Sequence, residues 1–404
     1  TSRPDDAIEA WETFSVFRVM RLKKQQTIEL LTKLDYTQEV KRKFIEEVEA
    51  HLFEAHKDFL SNPMLTTMML LTYEQFAEVP TKIHLFYQQA FMTLFVRHDS
   101  YKGVWKRKRY ANLALDDFER MFSHFCAATY FREKFNFDDA EVRNFISDAM
   151  TAYAIRKPVE DVLKDLTESV CLLQPDGLKH TFVHRSFQEY FTSLFVLALP
   201  VDEVKDALDS VVRRLRSDSV LSMAYGKRPD LIEKGWIIPM LQEMCDTVAS
   251  IDAEQDTKEF YINFFGSISV KPQSITFSMR DDDPRGWGLM AIRKLYGEDV
   301  NPYLNLDVSA YREKFQKAVE ADQSLRNDVE MVFGSERIER FLAGSAKHLG
   351  TADIRDLTPA MVTAMGLRER AVYEKDALFA LLSRVKAELD AREASHRGVF
   401  RVRG

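Results

Sequence analysis

In FVHRSFQEYFTSLF, residues 182–195, a histidine and an arginine stand directly before a strongly apolar stretch. From Phe187 the large side chains recur as Phe187, Tyr190, Phe191, Leu194, Phe195 and Ala198, the spacing of one buried helical stripe. Ser186 and Glu189 have the S-x-x-E spacing of a capping box, which predicts a helix beginning at Ser186. His184 and Arg185 would then flank a helix mouth. Unpaired backbone N–H groups and the positive end of the helix dipole favour an anion there, a phosphate for example. The ordinary alternative is a solvated loop histidine.

Other residues with chemical potential are weaker. Pro63 follows Ser61 and Asn62, and a proline suits the first turn of a helix that either neighbour could cap. The run YKGVWKRKRY carries Lys102, Lys106, Arg107, Lys108 and Arg109, a patch that could touch nucleic acid or a neighbouring subunit, or simply be a solvated loop. Asp281, Asp282 and Asp283 are consecutive, so their side chains diverge, and no glutamate completes a calcium-loop spacing. His180 and His184 share one face of an extended segment, with no third ligand evident. Cys126, Cys171 and Cys245 are scattered without a C-x-x-C pair, which argues against structural zinc and suits a reducing, cytoplasmic setting. Nothing marks a nucleophile of a catalytic triad.

The elements that must position these residues are mostly helices. A charged region at 24–60 roughly keeps an apolar stripe through Val40, Phe44, Val48, Leu52, Phe53 and Phe59. After the Ser61–Pro63 break comes the Met- and Leu-rich MLTTMMLLTYEQF. Ile83 to Phe95 forms another stripe, and LDDFERMFSHFCAATYF and DDAEVRNFISDAMTAY two more. Val170–Leu173 and Lys179–Val183 are β-like runs around a Pro-Asp-Gly turn and predict a hairpin. Several helices, a hairpin and a closing helix are the sequence appearance of a winged-helix domain. Beyond Pro200, helices are expected at 202–216, 230–249, 309–333, 336–348 and 374–395. One or two strands are expected in FYINFFGSISVKPQSITFSM, and a loop at RDDDPRGWG. The fold class expected is mainly α: a helical domain, a winged-helix domain with its small hairpin, and an α-rich C-terminal domain.

Bulk composition is compatible with this. The 404 residues allow two or three domains. With 29 Phe against 14 Gly and 12 Pro, long helices are favoured over tight turns. A net charge of -7 argues against a surface built wholly for nucleic acid. No apolar run approaches the ~18 residues of a membrane helix, and no fixed-period repeat supports a long solenoid.

Four patterns occur in order: TSRP at 1–4, FLSNPMLTTMMLL at 59–71, IHLFYQQAFMTLFVRHDSYKG at 83–103 and FVHRSFQEYF at 182–191. Together they resemble the second half of a NACHT module, the nucleotide switch of the STAND class of NTPases, which includes animal NOD-like receptors and bacterial relatives. The resemblance covers residues 1 to about 200. It implies the end of a nucleotide-binding domain at 1–18, a helical domain at 19–79, a winged helix at 80–200 and a sensor or autoinhibitory domain at 201–404. It also implies that Arg3 senses the terminal phosphate, that Pro63 lies against adenine, and that His184 holds the inner phosphates of ADP in the resting form. The implied cofactor is ATP or ADP with Mg²⁺.

No G-x-x-x-x-G-K-[ST] loop and no acidic Mg²⁺-holding strand end occur in these residues. The resemblance implies that both lie before residue 1, so this stretch alone should neither hold ATP tightly nor hydrolyse it. The implied function is a nucleotide-controlled signalling switch in bacterial antiphage defence. It would respond to a phage-derived trigger and assemble with copies of itself when ATP replaces ADP. Nucleic acid would enter through an N-terminal effector or the basic run at 102–109. A different class is also open, a winged-helix DNA-binding transcriptional regulator. A helical scaffold that no nucleotide affects is the third reading.

Overall fold

The computed structural model describes residues 20–76, 82–96, 109–214, 218–271, 274–280, 282–296, 308–345 and 348–399. They are mainly helical, with two small antiparallel sheets of three strands each. The chain divides into two compact units, one running to Arg109 and including 168–171, the other formed by Tyr110–Thr167 and everything from Leu172.

In the first unit, α1 (Lys24–Lys33) and α2 (Gln38–Glu47) precede a π-helical turn at Val48–Leu52, and α3 (Pro63–Phe76) and α4 (Ile83–Val96) follow. α3 packs on α1, α2 and α4. Leu31, Phe44, Val48, Leu60, Met69, Phe86 and Phe91 form its buried interior. Phe59 and Phe86 meet edge to face at 4.8 Å, an arrangement that aromatic quadrupoles favour. The buried Lys41 is satisfied by backbone. Its ammonium donates to the carbonyls of Thr32 (3.1 Å) and Leu34 (2.8 Å), acceptors that the end of α1 leaves open.

The second unit begins with α5 (Leu115–Phe131), β1 (Asn136–Phe137), α6 (Asp139–Ala152) and α7 (Val159–Lys164). The hairpin β2 (Leu173–Asp176) and β3 (Lys179–Phe182) leads into α8 (Arg185–Ala198). The sheet order is β1-β3-β2. Rings from several of these elements make the core: Phe122 stacks on Phe125 at 5.7 Å and meets Phe191 edge-on at 4.7 Å, while Phe137 packs on Phe182 at 5.8 Å. The hairpin's turn is displaced from the expected Pro-Asp-Gly. Pro175 and Asp176 are paired strand residues, and Gly177 and Leu178 make the turn. Gly177 alone has the positive φ, +62°, as a two-residue turn with glycine first requires.

The remainder is helical around a second sheet. α9 (Val204–Val212), α10 (Val220–Lys227), α11 (Ile238–Val248) and α12 (Thr257–Ile262) precede β4 (Phe265–Lys271) and β5 (Ser274–Met279). α13 (Pro284–Tyr296), α14 (Val308–Ala321), α15 (Gln323–Phe333) and α16 (Ser335–Leu342) come next. β6 (Gly350–Asp353), α17 (Pro359–Ala364) and α18 (Leu367–Val399) complete the chain. β6 joins the hairpin to give the order β5-β4-β6.

Two local expectations are corrected. The helix expected at 309–333 is broken at Asp322, whose carboxylate accepts the N–H groups of Ser324 (2.8 Å) and Leu325 (3.2 Å) and so starts α15. RDDDPRGWG is not a loop throughout, because α13 starts at Pro284. Its glycines are there for packing: a Cβ on Gly286 would lie 2.1 Å from the Phe264 carbonyl oxygen, and one on Gly288 would press on Met240.

Candidate functional site: the start of helix α8

The chain leaves β3 with an extended backbone at His184 (φ −147°, ψ 133°) and turns directly into α8. The helix therefore begins at Arg185, one residue earlier than the S-x-x-E spacing predicts, and its cap is His184 itself. The imidazole Nδ1 accepts the backbone N–H of Ser186 at 3.2 Å, and the Ser186 hydroxyl lies close enough to donate to the same nitrogen. An N-cap needs a side-chain acceptor two or three residues ahead of an open N–H, and a histidine offers one only from an unprotonated ring nitrogen. With Nδ1 occupied as acceptor, the neutral ring carries its proton on Nε2. The half-buried side chain at this helix mouth is thus a hydrogen-bond donor of fixed tautomer.

Ser186 and Glu189 do not form the expected capping box. Once His184 takes the cap, Ser186 lies inside the first turn, and Glu189 is directed inward. There it is buried, and Oε2 accepts the N–H of Ser219 at 3.2 Å. Arg185 pairs with Glu189 at 3.5 Å and lies over the Phe135 ring at 4.4 Å, so its charge is directed to these neighbours. Beside Glu189 is a second buried carboxylate, Asp218, which accepts from the Tyr130 hydroxyl and from the N–H of Val220 at 3.3 Å. Burial and the neighbouring Asp218 push Glu189 up to about 7. Burial also raises Asp218. This acid pair joins α8 to the turn before α10. Sequence reasoning missed it because S-x-x-E assigned Glu189 a local role.

Pro63, the expected adenine contact, is the first residue of α3 and is exposed. Asn62 supplies the cap, accepting the N–H groups of Met64 (3.0 Å) and Leu65 (3.3 Å). Pro63 and His184 belong to different compact units. Arg3, the expected phosphate sensor, lies outside the described residues, as do Lys102, Lys106, Arg107 and Lys108 of the basic run. Arg109 is described, and its guanidinium sits 3.8 Å above the Phe95 ring.

The other candidates are occupied by pairing. Asp282 binds Arg280 at 2.8 Å and Asp283 binds Arg285 at 2.9 Å, while Asp281 lies outside the described residues. Burial would raise Glu374, but Arg293 at 3.2 Å and Arg370 at 2.9 Å hold it below its usual range. Among the described residues no group of three or more His, Cys, Asp or Glu side chains could hold a metal ion, and no helix is long and apolar enough to cross a membrane. No family model matches the chain, and neither a curated protein nor a solved structure matches it. The functional reading rests on the residues of this chain.

Proposed function

We propose that the chain is the switch and sensor portion of a NACHT-type STAND NTPase that acts as a nucleotide-controlled signal in bacterial antiphage defence. His184 would contact the inner phosphates of ADP, Pro63 would face adenine and Arg3 would sense the terminal phosphate of ATP. Residues 80–200 would be the winged helix, and residues 201–404 would sense a phage-derived trigger. ATP in place of ADP would lead to self-assembly. In thermodynamic terms, nucleotide and trigger bias one equilibrium between closed and open arrangements.

The observation that carries the reading is the chemistry at the start of α8. An imidazole whose Nδ1 accepts the Ser186 N–H carries its ring donor at Nε2, beside a helix start that favours negative charge. A phosphate oxygen suits that donor. The proline at α3 supports the adenine role, because Asn62 does the capping and the exposed Pro63 ring is not needed for it. α8 also offers a route for the signal. It carries His184 at its start and Glu189 on its next turn, and Glu189 holds the N–H of Ser219. A trigger that shifts the segment at 218–220 would pull on the helix that bears the latch. Mg²⁺ with the nucleotide would neutralise phosphate charge, and no residue of this chain is assigned to it.

The test is ADP dissociation from a polypeptide that contains the phosphate loop together with these residues. His184→Asn keeps a good capping side chain and removes the imidazole. Loss of one hydrogen bond to a charged phosphate should speed ADP release by about tenfold or more and raise basal signalling. Release at the wild-type rate removes His184 from the switch. The regulator reading is disfavoured by the burial of Phe187, Tyr190 and Phe191, which takes α8 out of contention for reading bases. Site-specific DNA binding with a steep salt dependence would restore it.

A further inference from the structure

A cavity of about 400 Å³ lies in the C-terminal half, where α12, the turn at Ile354–Asp356, α17 and the first turn of α18 come together. Its size falls within the range of small-molecule sites. Ile262 and the buried Val362 give it an apolar wall, and Lys258, Arg355 and Arg368 bring three positive charges to its lining. Two of these are already engaged. Lys258 donates to the Arg355 carbonyl at 3.1 Å, tying two walls together, and the exposed Arg355 guanidinium is bound to Asp353 at 2.8 Å.

Arg368 differs from both. It is partly buried, and its Nε–H is closed off from solvent without an acceptor. Among the described residues nothing pairs with its guanidinium. Proteins rarely leave such a donor unsatisfied, and turning its nitrogens toward an incoming oxyanion would break no existing bond. Asp256 and Glu259 also line the cavity, but both are exposed, so they act at its rim. They disfavour a ligand with several negative charges while leaving room for one.

We propose that this cavity is a binding site for a small molecule with a single carboxylate on an apolar body, seated by Arg368 and Lys258 against Ile262 and Val362. Arg368 would form a two-pronged pair with the carboxylate, the geometry for which a guanidinium is suited, and the Lys258 ammonium would add a second charge. The apolar body would cover Val362 and Ile262. The site is independent of the nucleotide reading, because every residue involved lies between 256 and 368.

The experiment is calorimetric titration of the 404-residue chain with benzoate, hexanoate and benzamide, the last a neutral match for benzoate. Saturable binding of benzoate or hexanoate with a Kd of about 1 mM or tighter is expected. Benzamide should bind at least about tenfold more weakly. Arg368→Met, which removes the charge and retains much of the stem, should weaken carboxylate binding at least about tenfold while the melting temperature holds. Lys258→Met should produce a smaller loss in the same direction. Equal binding of benzoate and benzamide, no saturable carboxylate binding, or unchanged affinity in a folded Arg368→Met chain would overturn the proposal. The benzoate and benzamide comparison needs only the wild-type chain, so a variant that fails to fold leaves the test intact.

Discussion

Two helix starts in this molecule solve the same problem with different residues. At α3 the labour is divided: Asn62 satisfies the open N–H groups, and Pro63 supplies a fixed backbone angle and an exposed ring. At α8 one residue does both jobs, since His184 caps the helix through Nδ1 and carries an imidazole whose ring donor is then Nε2–H. A substitution at Pro63 therefore leaves the cap in place while changing the ring and the backbone angle, whereas His184→Ala removes cap and imidazole together. Only a capping replacement such as asparagine separates them.

The largest expected effect concerns what holds α8 after its cap. Glu189 has its pKa raised from 4.5 to about 7 by burial and by Asp218. The folded state therefore keeps a proton that the unfolded chain releases between about pH 4.5 and 7. Stability is greater below that window and falls as pH rises through it, by about 3 kcal/mol for this group. Glu189→Gln should flatten the melting temperature between pH 5 and 8 and raise it at pH 8. Among the described residues no carboxylate raised by burial stands behind the α3 start, so Asn62 variants should follow the wild-type pH profile between pH 5 and 8. A Glu189→Gln profile parallel to wild type would show that α8 carries no such strain.

A middle-sized effect compares the caps directly. Asn62→Ala and His184→Ala should each lower stability by about 1 kcal/mol, read from urea-unfolding midpoints, because each leaves helix N–H groups without an acceptor. If only one does so, the two starts are not equivalent in energy. The smallest effects are expected from Pro63→Ala and His184→Asn, each within about 0.5 kcal/mol of wild type, since both keep a capping side chain. A large loss in His184→Asn would mean that the imidazole packs as well as caps.

Much of the fold can be read in the apolar spacing. The stripes through Phe44 and Val48, Ile83 to Phe95 and Phe187 to Phe195 all lie on helices, because burial of one face leaves its period in the sequence. The two-residue β1 leaves no period to detect, and α13 is disguised by Gly286 and Gly288, whose role lies in contacts with Phe264 and Met240 far away in sequence. The candidate site was legible as residue types and position: a histidine at a helix mouth. The exact start was not, since S-x-x-E has two possible readings and the competition with His184 for the Ser186 N–H is settled by how β3 delivers the chain.

The sequence by itself determined a mainly helical protein with a hairpin and an amphipathic helix after it, because those features follow from periods of local chemistry, although the first strand runs Leu173–Asp176 rather than the expected Val170–Leu173. Only the tertiary structure decided that His184 is the cap, that Glu189 turns inward to Ser219 beside Asp218, and that Arg368 lines a cavity with no partner among the described residues. Each of these depends on which donor or charge a distant segment brings within about 3 Å, and hydrogen bonding at that range is not written in spacing along the chain.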